Sequence, residues 1–285
     1  MMKLYKRLQR RIKLLGFFES LKDCLKKPFR IFSKIVFTPY IHSVNIAGFP
    51  LRLGIGNFEA HCWYGNSFWS GTHSLKSEIP WLKSVCHDNM IIADIGAHQG
   101  YFSLLASQWI GSEGMVHSFE CLPENVDVFR KNIELNLAKN IILIGSAVGA
   151  CCGSVYIAKD SSGVVSDLSS SVLSVEMVSL DSYFSGKRKP DLIKIDVEGY
   201  EYEVLKGARE CLSLTKNLDL EFHVFNYKKP YSELSLIFDL LNFKDARVLV
   251  ELRPGMVLIP YRPEIHTIKK LIQYPNFHLY VSWFK

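Results

Sequence analysis

Two stretches of this chain place carboxylates where apolar runs end, in a spacing that suits ligand chemistry. In Met90–Gly100 a strand-length run leads to Asp94 and then to the turn Gly96-Ala97-His98-Gln99-Gly100. Val116-His-Ser-Phe-Glu120 follows about twenty residues later, a second run closing on an acid. A doubly wound α/β fold holds an adenosine-bearing ligand in this way, at the carboxyl ends of its first two strands. Gly96 and Gly100 let the backbone approach the ligand, and Glu120 can accept hydrogen bonds from both ribose hydroxyls. The other stretch is Pro190-Asp-Leu-Ile-Lys-Ile-Asp-Val-Glu-Gly-Tyr-Glu201. Period-two alternation puts Lys194 and Asp196 on one face of its strand, with Asp196 at the carboxyl end facing the same crevice as Asp94. Glu198 and Glu201 then begin a helix, where acids also favour the N-terminus for structural reasons alone.

The turn helps to say which ligand. A dinucleotide fingerprint needs a middle glycine to make room for a pyrophosphate. Here that position is His98, whose imidazole would crowd it. A ligand without phosphates, such as S-adenosylmethionine, does not need the room, and Asp94 is placed to meet its α-ammonium. A nucleotide-dependent oxidoreductase is the alternative from another enzyme class, and the missing glycine argues against it.

Positioning these residues takes alternating strands and helices, and the chain supplies them from about His73 onward. Helix Ser74–Val85 leads in, followed by strand Met90–Ile95, helix Gln99–Ile110, strand Val116–Glu120, helix Pro123–Leu137 and strand Ile141–Ile144. Leu192–Val197 reads as strand four, Tyr200–Leu212 as a helix and Leu218–Phe222 as strand five, ending near His223. Ser232–Leu241, Arg247–Leu252 and Leu279–Phe284 supply a last helix and two strands, one of them an antiparallel return at a sheet edge. Residues 145–175 break the alternation and read as a β-insertion or a mobile serine-rich loop. The expected fold is therefore α/β: a doubly wound, Rossmann-like, seven-stranded and mostly parallel sheet spanning 73–285.

Before it lie a β-rich extension, 41–72, and a basic arm, 1–40. In the extension, glycines alternate with aromatics that read as packing rather than ligand stacking. Residues 1–34 carry eleven Lys/Arg against two acids, which is +9 of the chain's +6, so the remainder is −3. That distribution gives no expectation of nucleic-acid binding. Leu4, Leu8, Ile12 and Leu15 share one helical face and the cations fill the other, so the arm either docks on the domain or lies on an anionic membrane leaflet. Arg10, Arg11 and Lys13 interrupt any signal-peptide core, and no run approaches the length of a spanning helix. Seven scattered cysteines without a Cys-x-x-Cys pair read as reduced thiols of a cytoplasmic protein, peripheral to the inner face of the membrane if the arm binds lipid.

Asp94–Ser103, Phe119-Glu-Cys-Leu-Pro123 with Asn125, Ala147-Val-Gly149, Ser179-Leu-Asp181, Leu192–Glu201 with Val204-Leu-Lys-Gly207, and Glu221-Phe-His223 resemble the FkbM-type methyltransferases. The resemblance covers roughly residues 78–225. It implies a class I S-adenosylmethionine-dependent methyltransferase that acts on oxygen, often of a sugar or glycoconjugate. It places Asp94, Gly96, Ala97 and Gly100 at the methionine end, Glu120 on the ribose, and Ser146-Ala147 near the adenine, with Asp196 at the boundary of cofactor and acceptor. Two departures stand out: Cys121 replaces a common proline, and His98-Gln99 replace the more usual Asn-Ile.

Methyl transfer from a sulfonium is an in-line displacement, and an alcohol needs help to lose its proton. Asp196, supported by Lys194, is the first choice of base; His223, Glu198 and His98 are the others. Asp196 and Glu221, on adjacent strand ends, are also the expected ligands of a Mg²⁺ ion. The acceptor is expected to be a small molecule or glycan. A non-catalytic module that binds cofactor or is recruited to a membrane is the reading outside enzymology.

Overall fold

The structure, a computed structural model, describes residues 38–284 apart from 47, 58–59, 62–63, 65–76, 159–171 and 254–255. The basic arm, much of the aromatic part of the extension and the serine-rich segment therefore lie outside the described residues.

In chain order the elements are β1 (Tyr40–Ile46), β2 (Phe49–Ile55), α1 (Glu78–Val85), β3 (Ile91–Ile95), α2 (Tyr101–Trp109), β4 (Met115–Phe119), α3 (Pro123–Leu135) and β5 (Ile141–Ile144). β6 (Ala147–Val148), β7 (Gly153–Ala158), β8 (Val172–Val178), α4 (Leu180–Tyr183), β9 (Leu192–Ile195), α5 (Glu201–Lys206) and α6 (Arg209–Leu214) follow. The chain closes with β10 (Asn217–Phe222), α7 (Pro230–Leu240), β11 (Ala246–Glu251), β12 (Ile259–Pro260), α8 (Ile268–Leu271) and β13 (Phe277–Trp283).

The central sheet has eight strands in the order β12-β11-β13-β10-β9-β3-β4-β5, one more than expected, because the two residues of β12 add to the β11 edge. β3, β4, β5, β9 and β10 run parallel, while β13 returns antiparallel between β10 and β11. The chain winds outward from β3 to β5 on one side and from β9 to β10 on the other. The switch point lies between β3 and β9, the crevice where such sheets bind ligands. The strands at the centre are buried on both faces, as β9 (Leu192–Ile195) illustrates, so they read as near-continuous apolar runs.

The β-insertion read within residues 145–175 is present among the described residues as a small sheet, β6-β8-β7, in which β7 and β8 pair antiparallel. Two departures from the sequence reading have local causes. The helix expected over Tyr200–Leu212 divides at Gly207, where a Cβ would meet the Gly149 carbonyl oxygen at 2.0 Å. Glu198 precedes that helix in a left-handed turn (φ 54°) instead of opening it.

The β1–β2 hairpin packs Leu51, Leu53 and Ile55 against Leu104 and Leu105 of α2. Asn132 of α3 ties it down: its side chain accepts from Gly54 N (2.5 Å) and donates to Gly54 O (3.3 Å) and to Gln99 O (2.8 Å). One buried amide thus couples the hairpin, α3 and the turn after β3. Asn132→Ala leaves those backbone groups unpaired and is expected to lower the unfolding free energy by about 2 kcal/mol. Urea denaturation measures it, and an unchanged midpoint would show that the hairpin is held by its apolar face alone.

Candidate active site

The strand ends open onto one cavity of about 450 Å³. Asp94, Gly96, Ala97, His98, Glu120, Ser146 and Ala147 line it, with Val155 and Ile157 of β7 closing the side next to Ser146. Lys194, Asp196, Glu198, Glu221 and His223 line it toward β9 and β10. The sequence-derived residues therefore converge, with one exception. Gly100 is not at the cavity: its φ is 90° and a Cβ there would meet the Phe129 ring at 2.1 Å, so it serves helix packing and not ligand approach.

Glu120 lies just past β4. Its Oε2 accepts from His98 N (2.8 Å) and its Oε1 from Leu122 N (2.8 Å), which fixes the carboxylate while leaving lone pairs toward the cavity. Burial pushes its pKa up to about 7, against those two backbone donors. Asp94, fully buried, accepts from Ser103 Oγ at 2.5 Å through Oδ2, and its Oδ1 has no hydrogen-bond partner among the described residues. An orphaned carboxylate oxygen beside the glycine turn fits the cationic end of S-adenosylmethionine. Burial moves Asp94 up to about 6, with Lys194 pulling the other way. His98 adopts φ 52°, and its Nδ1 lies 3.1 Å from Tyr64 Oη. Burial lowers its pKa to about 3, so the ring is neutral and a weak proton acceptor.

At the other end the side chains of β9, β10 and the loops after them form a charge network. Lys194 Nζ is 3.3 Å from Asp196 Oδ2 and 3.5 Å from Glu78 Oε1. Burial opposes its charge, but Asp196, Glu78, Asp219 and Asp94 outweigh that and hold Lys194 well above its ordinary range. His223 is 3% exposed; its Nδ1 meets Glu201 Oε1 at 3.0 Å. Burial works against its charge too, yet Glu198, Glu221 and Glu201 hold it well above the usual imidazole range. That direction favours the protonated ring in the ligand-free site. Asp196 is raised by desolvation and relieved by Lys194; Glu198 is pushed up to about 7 by burial. Glu221 is lowered despite burial, chiefly by His278 and His223.

Asp196 and Glu221, the pair expected to share Mg²⁺, do come together, but His223 joins them, with one donor atom from each within 4.8 Å of the others. Sequence reasoning missed five further contributors. Tyr64 comes from the extension, and its ring stacks on Tyr101 at 5.0 Å. Glu78 comes from α1, and Asn276 and His278 arrive with the antiparallel return of β13. Glu201 stands in the strand-four stretch, where its signal was read as helix capping.

Glu120 gives the cofactor end a pH signature. With the ribose hydroxyls donating to its ionised form, as the family resemblance implies, affinity for S-adenosylmethionine should fall by about tenfold from pH 8 to pH 6 as a group with pKa about 7 takes up its proton. The Glu120→Gln protein should bind more weakly and lose that part of the profile, which cancels the ligand's own ammonium titration in the comparison. Calorimetry at both pH values checks this, and identical profiles would show that the carboxylate does not hold the ribose.

A family model described as "Methyltransferase FkbM domain" matches residues 94–251, more than half the chain. No curated protein matches. Among solved structures the chain is similar to a precorrin-6y C5,15-methyltransferase from Geobacter metallireducens GS-15, at 13% identity over 72% of this chain and 86% of that one, TM-score 0.42. It is also similar to an rRNA methylase from Streptococcus thermophilus, at 10% identity over 73% and 95%, TM-score 0.46. A third match is M. jannaschii TYW2 in complex with AdoMet, at 15% identity over 86% and 84%, TM-score 0.43. The family match, on a sheet with the strand order of a class I methyltransferase, stands in place of the oxidoreductase reading. The chain belongs to the FkbM methyltransferase family and is an S-adenosylmethionine-dependent methyltransferase.

Proposed function

We propose that the protein methylates a hydroxyl oxygen of a sugar or glycoconjugate. The observation that carries this reading is the placing of Asp196 and Glu198 at the cavity end beside the Gly96 turn. Ionised carboxylates only accept hydrogen bonds, so they select donors such as hydroxyls. Their charge also works against acceptors that carry phosphate or carboxylate. Tyr200 and Phe225 line the same end and offer apolar faces to a sugar ring.

The bound cofactor supplies an electrophilic methyl on a sulfonium. Asp94 and Glu120 fix its two ends, and the acceptor hydroxyl lies between that methyl and the pair Asp196 and Glu198. These carboxylates orient the hydroxyl and take its proton while the oxygen closes on the methyl carbon. Lys194, 3.3 Å below Asp196, keeps that carboxylate aimed into the cavity. Residues 1–34, outside the described part, add a cytoplasmic protein docked by its basic face on an anionic inner leaflet. No described helix is long and apolar enough to cross a membrane.

The test is transfer of a labelled methyl group to a panel of neutral saccharides, uronic acids and sugar phosphates. Neutral saccharides should be the substrates. Asp196→Asn should lower kcat by about 10²–10⁴-fold while S-adenosylhomocysteine still binds. Preferred transfer to the acidic sugars, or full activity in Asp196→Asn, would overturn the reading.

A further inference from the structure

We propose that Asp196, Glu221 and His223 form a binding site for a divalent first-row transition cation at the acceptor end of the cavity. The three residues stand at the carboxyl ends of neighbouring strands: Asp196 just past β9, Glu221 near the end of β10 and His223 one residue beyond it. His223 Nε2 lies 3.7 Å from Asp196 Oδ1 and 3.5 Å from Glu221 Oε1. Among the described residues this nitrogen makes no hydrogen bond, although its ring is nearly fully buried and aimed into the carboxylates. An ion about 2.1 Å from each donor sets donors about 3.0–3.4 Å apart. The two edges that meet at His223 close to that by a few tenths of an ångström, and all three donors lie within 4.8 Å of one another.

The independent observation is the shell behind the donors. Metal-bound histidines donate their other ring nitrogen to a carboxylate or carbonyl, and ligating carboxylates are themselves held by hydrogen bonds. Here His223 Nδ1 is held by the fully buried Glu201 at 3.0 Å. Glu221 Oε2 meets His278 Nε2 at 3.3 Å, and its Oε1 accepts from Asn276 Nδ2 at 3.3 Å. Asp196 Oδ2 accepts from Lys194 Nζ at 3.3 Å, leaving Oδ1 toward His223. Every proposed ligand is thus gripped from behind and offers a donor to one point. The imidazole also moves the set away from Mg²⁺, which favours all-oxygen octahedral sites, toward ions such as Mn²⁺, Fe²⁺ or Zn²⁺. The cation takes the place of the proton on Nε2.

This site deepens the hydroxyl-methylation reading and rests on it for its role, though not for its existence. Three protein donors leave coordination positions facing the cavity, where two neighbouring hydroxyls of one sugar can chelate. With Asp196 committed to the cation, the proton-accepting role given above to the pair falls to Glu198, which lies 3.5 Å from His223 Nε2, is held by Asn226 and is not needed as a ligand. The O–H bond breaks to Glu198, the new C–O bond forms, and the S–CH₃ bond breaks with its electron pair staying on sulfur.

The full chain, stripped with a chelator and desalted, is titrated calorimetrically with Mn²⁺ and with Mg²⁺, with S-adenosylhomocysteine binding as the check of folding. One Mn²⁺ per chain is expected, bound at least tenfold tighter than Mg²⁺. Glu201→Gln should weaken it by about 10–100-fold, and His223→Ala and Glu221→Gln should weaken it further, all with S-adenosylhomocysteine bound as in wild type. Spin-echo spectroscopy of Mn²⁺ on the wild-type protein should show ¹⁴N coupling from one imidazole, a readout that needs no variant. Absence of saturable Mn²⁺ binding, equal Mg²⁺ affinity, or bound Mn²⁺ without nitrogen coupling would overturn the site. Saturable Mn²⁺ binding with no neutral saccharide methylated would sink the acceptor reading and leave the site standing.

Discussion

The site depends on a contact between two backbones. The turns that leave β3 and β9 pass so close that a Cβ on Gly96 would stand 1.8 Å from the Asp196 carbonyl oxygen. Asp196 N also donates to Ile95 O at 3.0 Å. The cofactor turn and the first acidic residue of the acceptor end are therefore one rigid piece, whatever their side chains do. In-line displacement requires reacting atoms held about 3–3.5 Å apart and aligned. This fold sets that relation by strand pairing at the switch point and leaves the acceptor to be positioned by side chains.

A second constraint is charge in a desolvated space. Across one face of the sheet Asp94, Lys194 and Asp219 stand in register on β3, β9 and β10, and Glu221, His278 and Glu251 on β10, β13 and β11. The sign alternates along each row, so the buried ions lie beside opposite charges. Toward the cavity the carboxylates outnumber the cations: Asp196, Glu198 and Glu221 share Lys194 and His223. Burial first, and the neighbouring carboxylates after it, raise the pKa values of Asp196 and Glu198. A sulfonium, an ammonium and a divalent cation are the species that relieve this excess of carboxylates, whereas a phosphate adds to it. The composition of the cavity thus suits a cationic cofactor through one physical interaction.

What could be read from the sequence was local. Met90–Ile95 and Leu192–Val197 announced themselves as buried strands, and the acids at their ends followed from period two and the glycine turn. Glu120, Asp196 and His223 were found because strand ends in a doubly wound sheet share an edge. His278 could not be found that way, since it reaches the site only when β13 inserts between β10 and β11. The pairing of Glu221 with His278 depends on that register, which no local pattern encodes. Gly207 carried a packing signal invisible without its partner, Gly149. Gly100 looked like a ligand-approach glycine because its spacing fits one, but the Phe129 ring occupies the space that its missing Cβ leaves.

Two residues show where the fold accepts strain in return for side chains. His98 (φ 52°) and Glu198 (φ 54°) sit in the left-handed region, on the turns after β3 and β9. Such conformations cost of order 1–3 kcal/mol for a residue with a Cβ and persist only when their surroundings impose them. Both are imposed here. His98 donates its N–H to Glu120 and meets Tyr64 through Nδ1, while Asn226 donates to both the carbonyl and the carboxylate of Glu198. Glycine would remove the strain at either position and keep the backbone path, at the loss of an imidazole or a carboxylate at the cavity wall. The costlier residue thus stands on both turns, with an imidazole and a carboxylate on the cavity wall where glycine would leave none.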